Sequence, residues 1–315
     1  MRRGPGGGIA DMKIALVGIG KIALDQHVPA LAASPDFQLA ATVSRHGTVA
    51  GVAAYTDIAV MLLDNPDIAI VSLCLPPRPR FEPARAALEA GRHVMLEKPP
   101  GATLSECFEL RALAREKNVA LYATWHSREA AAVITARDWL AGRQITSAHI
   151  RWRESVRKWH PGQDWVFDPG GMGVFDPGIN ALSILTEILP FKIHLTSAEL
   201  ETPINRQTPI AARLAFSRNI SAEFDWREES GEVWSIEVQT DAGRLELLNG
   251  GARMRIDGIE TPPLAEGPTG EYPRLYAAMA RFADERHIEM DLSPMRHVSD
   301  AFTLGAHITA DAFEW

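Results

Sequence analysis

The residues best suited to chemistry in this sequence are an ammonium, a carboxylate and a carboxamide in two short motifs. Lys98 lies in a Glu-Lys-Pro motif, and Asp176 and Asn180 begin and end an Asp-Pro-Gly-Ile-Asn motif. If a helix starts at Asp176, the two side chains share one face, one turn apart, and can reach the same ligand. A lysine can stabilise charge on a reacting oxygen, and an aspartate can accept its proton. The plainer interpretations are a solvent-facing Lys98 at a strand end and a helix N-cap at Asp176.

A glycine motif near the start of the chain predicts a dinucleotide site. The apolar run 14–17 is followed by Gly-x-Gly-x-x-Ala at 18–23. The first glycine allows a tight strand-to-helix turn, the second lets the backbone approach a pyrophosphate, and the alanine keeps the helix close to the sheet. The candidate cofactor-binding residues, here and after later strands, are Gly18, Gly20, Lys21, Ile22, Ser44, Arg45, His46, Leu75, Pro76, Glu97 and Lys98.

The end of the second predicted strand bears on the choice between NADP and NAD. An acidic residue there would hold a ribose 2′-hydroxyl and repel a 2′-phosphate, but the chain has Ser44, Arg45 and His46 instead. Ser44 can donate a hydrogen bond, and Arg45 can bind the phosphate bidentately and stack on adenine. The sequence therefore favours NADP. In the alternative, Arg45 is a solvated turn residue and NAD is accepted.

The bulk properties exclude several classes of partner. The 315 residues carry a net charge of −8 with a pI near 5.7, and no basic patch dominates, which argues against nucleic acid. No apolar segment is long enough to cross a bilayer, so no membrane partner is expected. The two cysteines, Cys74 and Cys107, form no disulfide framework, which favours a reducing cytoplasm. No zinc-ligand spacing occurs, so no metal is predicted.

The first part of the chain alternates strand and helix patterns. Strands are predicted at 13–17, 38–43, 68–75, 93–97 and 120–124, with helices at 24–33, 58–64, 81–90 and 104–117. Alternation of this kind is typical of the α/β class, with a doubly wound parallel sheet. We therefore expect a Rossmann domain over residues 12–125, preceded by a disordered leader at 1–11.

The pattern changes after this domain. One helix is predicted at 130–140, followed by strands at 145–153, 196–201, 210–216, 221–226, 233–240, 243–248 and 254–256. Their polar and apolar residues alternate, as in an antiparallel sheet with one covered face. Helices at 273–286 and 294–313 end the chain. The sequence predicts an α+β domain at 126–315 built on a large, open, mostly antiparallel sheet.

The glycine motif and the Glu-Lys-Pro motif together resemble the glucose–fructose oxidoreductase/inositol dehydrogenase/MocA (GFO/IDH/MocA) family over essentially the whole chain. The resemblance implies a nicotinamide-dependent enzyme that transfers hydride at a sugar carbon. It also implies that Lys98 contacts both the nicotinamide region and the reacting oxygen, and that the open sheet makes a homo-oligomer, a dimer. Asp176 matches the family pattern, whereas Asn180 stands where histidine is common.

The asparagine narrows the resemblance to the bacterial pentose and hexose 1-dehydrogenases that act on L-arabinose and D-galactose. Similarity to those enzymes implies that Glu154 and His160 bind sugar hydroxyls. Trp159 and Trp165 can supply flat faces for the C–H side of a pyranose. The alternatives are that the tryptophans are core residues and that His160 is only a loop residue.

The resulting hypothesis is NAD(P)-dependent oxidation of an aldopyranose, L-arabinose or D-galactose, at C1 to the aldonolactone. Asp176 accepts the proton of the anomeric hydroxyl, Lys98 holds O1 and Asn180 orients the sugar. Two alternatives stay open. One is a dehydrogenase of another sugar or polyol, and the other is a cofactor-binding regulator of sugar metabolism that lacks turnover.

Overall fold

The structure is a computed structural model that describes residues 12–263 and 267–315. Its strands are β1 Met12–Val17, β2 Phe37–Val43, β3 Ala53–Tyr55, β4 Ile70–Leu73, β5 His93–Leu96, β6 Leu121–Ala123, β7 Ile145–Arg153, β8 Leu195–Pro203, β9 Ala211–Phe216, β10 Ile220–Asp225, β11 Val233–Thr240, β12 Gly243–Leu248, β13 Arg253–Ile256, β14 Ile259–Thr261, β15 Ile288–Glu289 and β16 Ala306–Ala310. Its α-helices are α1 Val28–Ala33, α2 Ile58–Asp64, α3 Phe81–Glu89, α4 Leu104–Lys117, α5 Val133–Leu140, α6 Val156–Trp159, α7 Phe175–Ile188, α8 Glu271–Glu285 and α9 Ser293–Leu304. The leader predicted at 1–11 lies outside the described residues.

The chain divides into two compact units. Of the described residues, the first unit comprises 12–124 together with Tyr272–Met290, and the second comprises those of Trp125–Glu271 and Asp291–Trp315. The division predicted from the sequence, 12–125 and 126–315, differs from this because it includes 272–290 in the second domain. This segment contributes most of α8 and all of β15 to the first unit, where its apolar side chains join the core around β1.

The first unit is built on a seven-stranded parallel sheet in the order β15-β6-β5-β4-β1-β2-β3. Strands β2 and β3 lie on one side of β1, and β4, β5 and β6 lie on the other side. The strand order therefore reverses between β1 and β4, which is the topological switch point of the sheet. Their last residues, Val17 and Leu73, are directly paired, and Leu73 pairs in turn with Leu96. The segments that follow these strands therefore start at one edge of the sheet, where ligands bind in such folds. The predicted Rossmann fold is confirmed.

The first connection of this sheet departs from a regular helix. In place of one helix over 24–33, a π-helical segment Ala23–His27 continues into α1. Such segments occur frequently at functional sites. His27, at the end of the π-helical segment, is buried.

The second unit contains a nine-stranded sheet in the order β14-β13-β12-β11-β7-β10-β9-β8-β16. Two pairs, β7 with β10 and β8 with β16, are parallel, and the other pairs are antiparallel. The predicted large, mostly antiparallel sheet is confirmed. The apolar helix α7 packs against it, with Gly178 close to the Phe224 ring of β10.

The last predicted helix, over 294–313, is wrong in its second half. The helix α9 ends at Leu304, and the chain continues as strand β16 beside β8. A Cβ at Gly305 would lie 2.5 Å from the Ala301 carbonyl oxygen, so the backbone passes close to the helix end there. The following Ile308 and Thr309 are β-branched residues that favour a strand.

No helix in 12–263 or 267–315 combines the length and the apolar character that crossing a bilayer requires.

Candidate functional site

The glycine turn has the geometry that a dinucleotide requires. Gly18 has φ +91°, its N–H donates to the Val43 carbonyl at 2.8 Å, and a Cβ on it would lie 2.9 Å from the Leu75 nitrogen. A Cβ on Gly20, in contrast, would meet no atom within 4 Å. Ala23 is completely buried against the sheet. The backbone at Gly18 is thus packed against Leu75, whereas the space beside Gly20 is empty. This arrangement leaves room for a pyrophosphate at Gly20.

Alanine substitutions at these two glycines are expected to separate folding from cofactor binding. Gly18→Ala forces a side chain into a left-handed conformation and against Leu75, so it should lower the free energy of unfolding by about 1–3 kcal/mol. Gly20→Ala adds a methyl group only to open space, so it should leave the urea midpoint unchanged and weaken NAD(P)H binding at least tenfold. Fluorescence titration with NADPH and urea melts measure the two quantities. Equal cofactor affinity for Gly20→Ala and wild type would contradict this assignment.

The loop after β2 is held against the glycine turn. The Ser44 hydroxyl oxygen accepts hydrogen bonds from the N–H groups of His46 at 3.4 Å and Gly47 at 3.2 Å. A Cβ on Gly47 would lie 2.3 Å from the Ile19 carbonyl oxygen, so only glycine permits this approach. Arg45 is exposed at the tip of the loop. The structure therefore brings the residues predicted to read the 2′-substituent beside the turn, and Gly47 is a positioning residue that the sequence analysis missed.

Glu97 and Lys98 follow β5 at the same edge of the sheet. Lys98 is half-buried, its peptide bond to Pro99 is cis, and its N–H donates to Glu97 Oε2 at 2.7 Å. The Glu97 carboxylate is itself buried, where Oε1 accepts a hydrogen bond from the Tyr272 hydroxyl at 2.6 Å and lies 3.0 Å from His27 Nε2. Glu97 therefore connects the backbone of Lys98 to buried residues of the first unit.

His27 is the central residue of this buried network. Its Nδ1 lies 2.6 Å from the Tyr276 hydroxyl, and its Nε2 faces Glu97. Burial works against a charged imidazole, but interactions with Cys74, Tyr276 and Glu97 outweigh it and raise the pKa of His27 well above its usual value. Protonated His27 therefore stabilises the folded first unit.

This raised pKa predicts a pH-dependent stability. The stabilisation by His27 is complete below the unfolded imidazole pKa of about 6.5 and is lost as the pH rises through the higher folded value. The free energy of unfolding should therefore fall as the pH rises above about 6.5 in wild type and fall less steeply in His27→Gln. Urea melts at a series of pH values measure this. Parallel curves for the two proteins would show that His27 does not carry the effect.

Arg80 is a second buried group at this edge that the sequence analysis did not identify. Its guanidinium donates to the backbone carbonyls of Leu75, Glu97 and Pro99, so it joins the segments after β4 and β5. Burial lowers the pKa of Arg80 to about 10, which leaves it charged at neutral pH. The local sequence Pro-Pro-Arg-Pro-Arg contains two arginines, Arg78 and Arg80. It has no periodic pattern from which the burial of Arg80 alone could be predicted.

In the second unit, Asp176 and Asn180 lie one turn apart on α7, and both are half-buried. The helix begins at Phe175 after an N-cap at Val174 that makes no side-chain hydrogen bond. The interpretation of Asp176 as the N-cap is therefore wrong, because Asp176 lies inside the first turn. Its Oδ2 instead lies 3.1 Å from His160 Nε2. The two segments that carry Asp176 and His160 are thus brought together, so His160 is more than an isolated loop residue.

Two glycines explain why these segments approach so closely. A Cβ on Gly171 would lie 2.3 Å from the Trp165 carbonyl oxygen, and one on Gly173 would lie 2.2 Å from the Pro209 carbonyl oxygen. Gly173 also has φ +54°, and its N–H donates to the Val166 carbonyl at 2.9 Å. The glycine-rich segment before α7 therefore packs directly on the loop that contains Trp165.

Two tryptophan rings, those of Trp165 and Trp226, lie beside the His160 ring, and two more, Trp159 and Trp234, lie beside each other. Trp159 and Trp165 are 36% and 37% exposed, which rejects their assignment to the core. Trp226 is completely buried, and its ring centre lies 5.5 Å from that of His160. Trp234 lies 6.0 Å from Trp159 between ring centres. Exposed aromatic faces next to a carboxylate suit the apolar and polar sides of a sugar.

Glu154 fixes two of these rings. It is buried, Oε1 accepts a hydrogen bond from Trp226 Nε1 at 3.2 Å, and Oε2 accepts one from Trp234 Nε1 at 2.8 Å. Neither Trp226 nor Trp234 is among the site residues predicted from the sequence. The one sequence feature that could have pointed to them is their position next to strand ends, Trp226 directly after β10 and Trp234 near the start of β11. Both strands pair with β7, one on each side, and Glu154 directly follows β7.

Within the described ranges, no group of three or more His, Cys, Asp or Glu side chains is placed to hold a metal ion.

Comparison with known proteins relates both units to sugar oxidoreductases. The GFO/IDH/MocA model, an oxidoreductase family with an NAD-binding Rossmann fold, matches residues 12–124. Galactose 1-dehydrogenase of Pseudomonas fluorescens is 40% identical over 96% of this chain and 98% of that protein. The crystal structure of a D-galactose 1-dehydrogenase from Rhizobium etli superposes with a TM-score of 0.93 at 49% identity, over 97% of this chain and 99% of that one. A 3-ketoreductase from Actinomadura kijaniata, solved with NADP, is 19% identical with a TM-score of 0.81 over 95% and 99% of the two chains, which shows a shared fold.

Proposed function

Because the chain belongs to the GFO/IDH/MocA oxidoreductase family, we propose that it oxidises C1 of an aldopyranose, D-galactose or L-arabinose, to the aldonolactone with NAD(P)⁺. The observation that carries this proposal is the near full-length likeness to two galactose 1-dehydrogenases, at 40% and 49% identity. L-Arabinose is included because the two sugars share the configuration at C2–C4 and differ only in the substituent at C5.

The proposed roles follow from the chemistry of each group. When bound, the nicotinamide supplies the hydride acceptor. Asp176 accepts the proton of the anomeric hydroxyl, and Lys98 holds O1 and stabilises its developing negative charge. Asn180, one turn from Asp176, orients the sugar. Positioning of the reactants accounts for the remainder of the rate enhancement.

The pyranose is proposed to lie on the tryptophan side chains of the second unit. The exposed rings of Trp159 and Trp165 are available for the C–H face of the sugar. Glu154, whose carboxylate lies beside the indoles of Trp226 and Trp234, is proposed to bind a distal hydroxyl.

A substrate panel tests the function. Purified enzyme is mixed with NADP⁺ or NAD⁺ and with D-galactose, L-arabinose, D-fucose, D-xylose or D-glucose, and the absorbance at 340 nm is followed. We expect turnover with the first three sugars, and hydroxylamine trapping of the lactone as a hydroxamate identifies oxidation at C1. Turnover restricted to other sugars or polyols supports the first alternative function. Cofactor binding without turnover of any compound supports a regulator.

For the cofactor we propose a preference for NADP⁺ that depends on Arg45. Two observations support this proposal: Arg45 is exposed at the tip of the loop after β2, where a guanidinium can bind a 2′-phosphate, and the chain has no carboxylate at 44–46 to repel it. Arg45→Ala should lower the ratio of kcat/KM for NADP⁺ to that for NAD⁺ by about ten- to a hundredfold, on the order of 1.4–2.7 kcal/mol. An unchanged ratio would remove Arg45 from the cofactor site.

We propose further that the protein is a homodimer through the nine-stranded sheet and acts in a reducing cytoplasm. The exposed part of this sheet carries charged pairs such as Arg153–Glu223 and Arg213–Glu199. Both cysteine thiols, Cys74 and Cys107, are buried. Light scattering on the eluted protein measures the mass of the assembly.

A further inference from the structure

Both ring nitrogens of His160 have partners within the second unit. Nε2 lies 3.1 Å from Asp176 Oδ2, and Nδ1 lies 3.3 Å from Gln163 Oε1. A histidine that binds a sugar hydroxyl directly needs a nitrogen directed at the sugar. The geometry at His160 directs its imidazole to the proposed base instead.

The hydrogen bonds determine where the imidazole protons lie. Trp165 Nε1–H can only donate, and it donates to Gln163 Oε1 at 3.0 Å, so this oxygen is an acceptor. His160 Nδ1, which faces the same oxygen, must therefore carry a hydrogen. Any proton between Nε2 and Asp176 Oδ2 is therefore a second proton, in addition to the one on Nδ1. Asp176 and His160 share this second proton and gain or lose it as a unit.

We propose that Asp176 and His160 act as one proton-accepting pair, in which His160 relays the proton away from Asp176. The inference rests on the proposed function. As the C1–H bond breaks and its electron pair leaves as hydride to NAD(P)⁺, O1 forms the second bond to C1 and its proton moves to Asp176. That proton passes to His160 Nε2, which leaves an aspartate–imidazolium pair, and the imidazolium later returns the proton to water.

Other charged groups on the surrounding segments already have partners. Glu154 holds two indoles, Asp164 binds Arg206 and Trp315, Lys158 binds Glu232, and Arg157 binds Glu229. The hydrogen bonds from Trp315 and Arg206 also lower the pKa of Asp164. We therefore expect the pH dependence of the activity to come from the Asp176–His160 pair.

The pH profile distinguishes a relay from a structural contact. In wild type the pair must lose its additional proton before it can act, so kcat/KM should rise with pH along an acid limb that belongs to the pair. In His160→Gln, Asp176 alone must be ionised, and the acid limb of kcat/KM should move to lower pH, because the carboxylate no longer shares its proton with an imidazole. At pH 8 the variant should be about ten- to a hundredfold slower, since it has lost the stronger base.

A second variant tests whether an imidazole near Asp176 is sufficient. Residue 180 lies one turn after Asp176 on the same face of α7, so His160→Gln/Asn180→His returns an imidazole to Asp176 from another segment. The acid limb should return toward its wild-type position even if sugar affinity stays low. His149→Gln, in β7 and hydrogen-bonded to Ser221, is the matched control and should leave the profile unchanged.

The experiment is a set of kcat/KM profiles from pH 4.5 to 9 for these four proteins, with D-galactose and NADP⁺. A shifted limb in His160→Gln and its return in the double variant support the relay. A uniform loss of activity at every pH in His160→Gln overturns the relay and leaves the proposed function intact. Absence of wild-type turnover overturns the proposed function and the relay with it.

Discussion

Replacing Asp176 by asparagine should lower kcat for sugar oxidation by about 10²–10⁴-fold, the usual contribution of a general base. The substitution keeps the size of the side chain and its place in the first turn of α7, and it removes only the ability to accept a proton. The loss should appear mainly in kcat, because an amide can still hydrogen-bond to the sugar. Steady-state rates at saturating D-galactose and NADP⁺ measure it.

The matched control is Asp168→Asn, an exposed aspartate in the loop that precedes the glycine-rich segment. It should keep kcat within about twofold, since substitutions at exposed sites are usually mild. Wild-type NADPH affinity in Asp176→Asn would show that the cofactor region is intact. A kcat within threefold of wild type in that variant would remove Asp176 from the chemistry, and another group would have to accept the proton.

The parts of the first unit that the sequence predicted are those with local signals. Gly18 needs a positive φ and Gly20 needs open space, and both requirements act within a few residues of a β-branched strand. The capping box at the start of α4 is an equally local feature, in which the Glu106 N–H donates to the Thr103 hydroxyl oxygen at 3.2 Å.

The contacts that support Lys98 could not be predicted in this way. His27 meets Glu97 across 70 residues and Tyr276 across 249, so nothing in the local sequence pairs them. From sequence alone, a helical segment is assigned to the same domain as the residues that precede and follow it in the chain. The segment 272–290 is therefore predicted in the second domain. The buried apolar face of α8 shows a helix but does not specify which sheet it packs on.

The site of the second unit was predicted from single residues, and its pairing was not. Asp176 and His160 were assigned separate roles, as a base and as a hydroxyl ligand. The structure brings them to 3.1 Å because Gly171 and Gly173 allow the backbone to approach neighbouring carbonyls. Glycines in a loop predict only that a close approach is allowed, and the partner of that approach is decided by tertiary packing.

Removing the ammonium of Lys98 should have an effect almost as large as the loss of Asp176. Lys98→Met keeps the length of the side chain and removes its charge, so it should lower kcat/KM for the sugar by about 10²–10³-fold, which corresponds to about 3–4 kcal/mol of transition-state stabilisation. The affinity for NADPH should change far less, because the glycine turn and the loop after β2 provide separate contacts for the nucleotide. Lys117→Met, in the last turn of α4, should behave as wild type. A loss confined to KM, with kcat unchanged, would mean that Lys98 binds ground state and transition state equally and does not stabilise charge on O1.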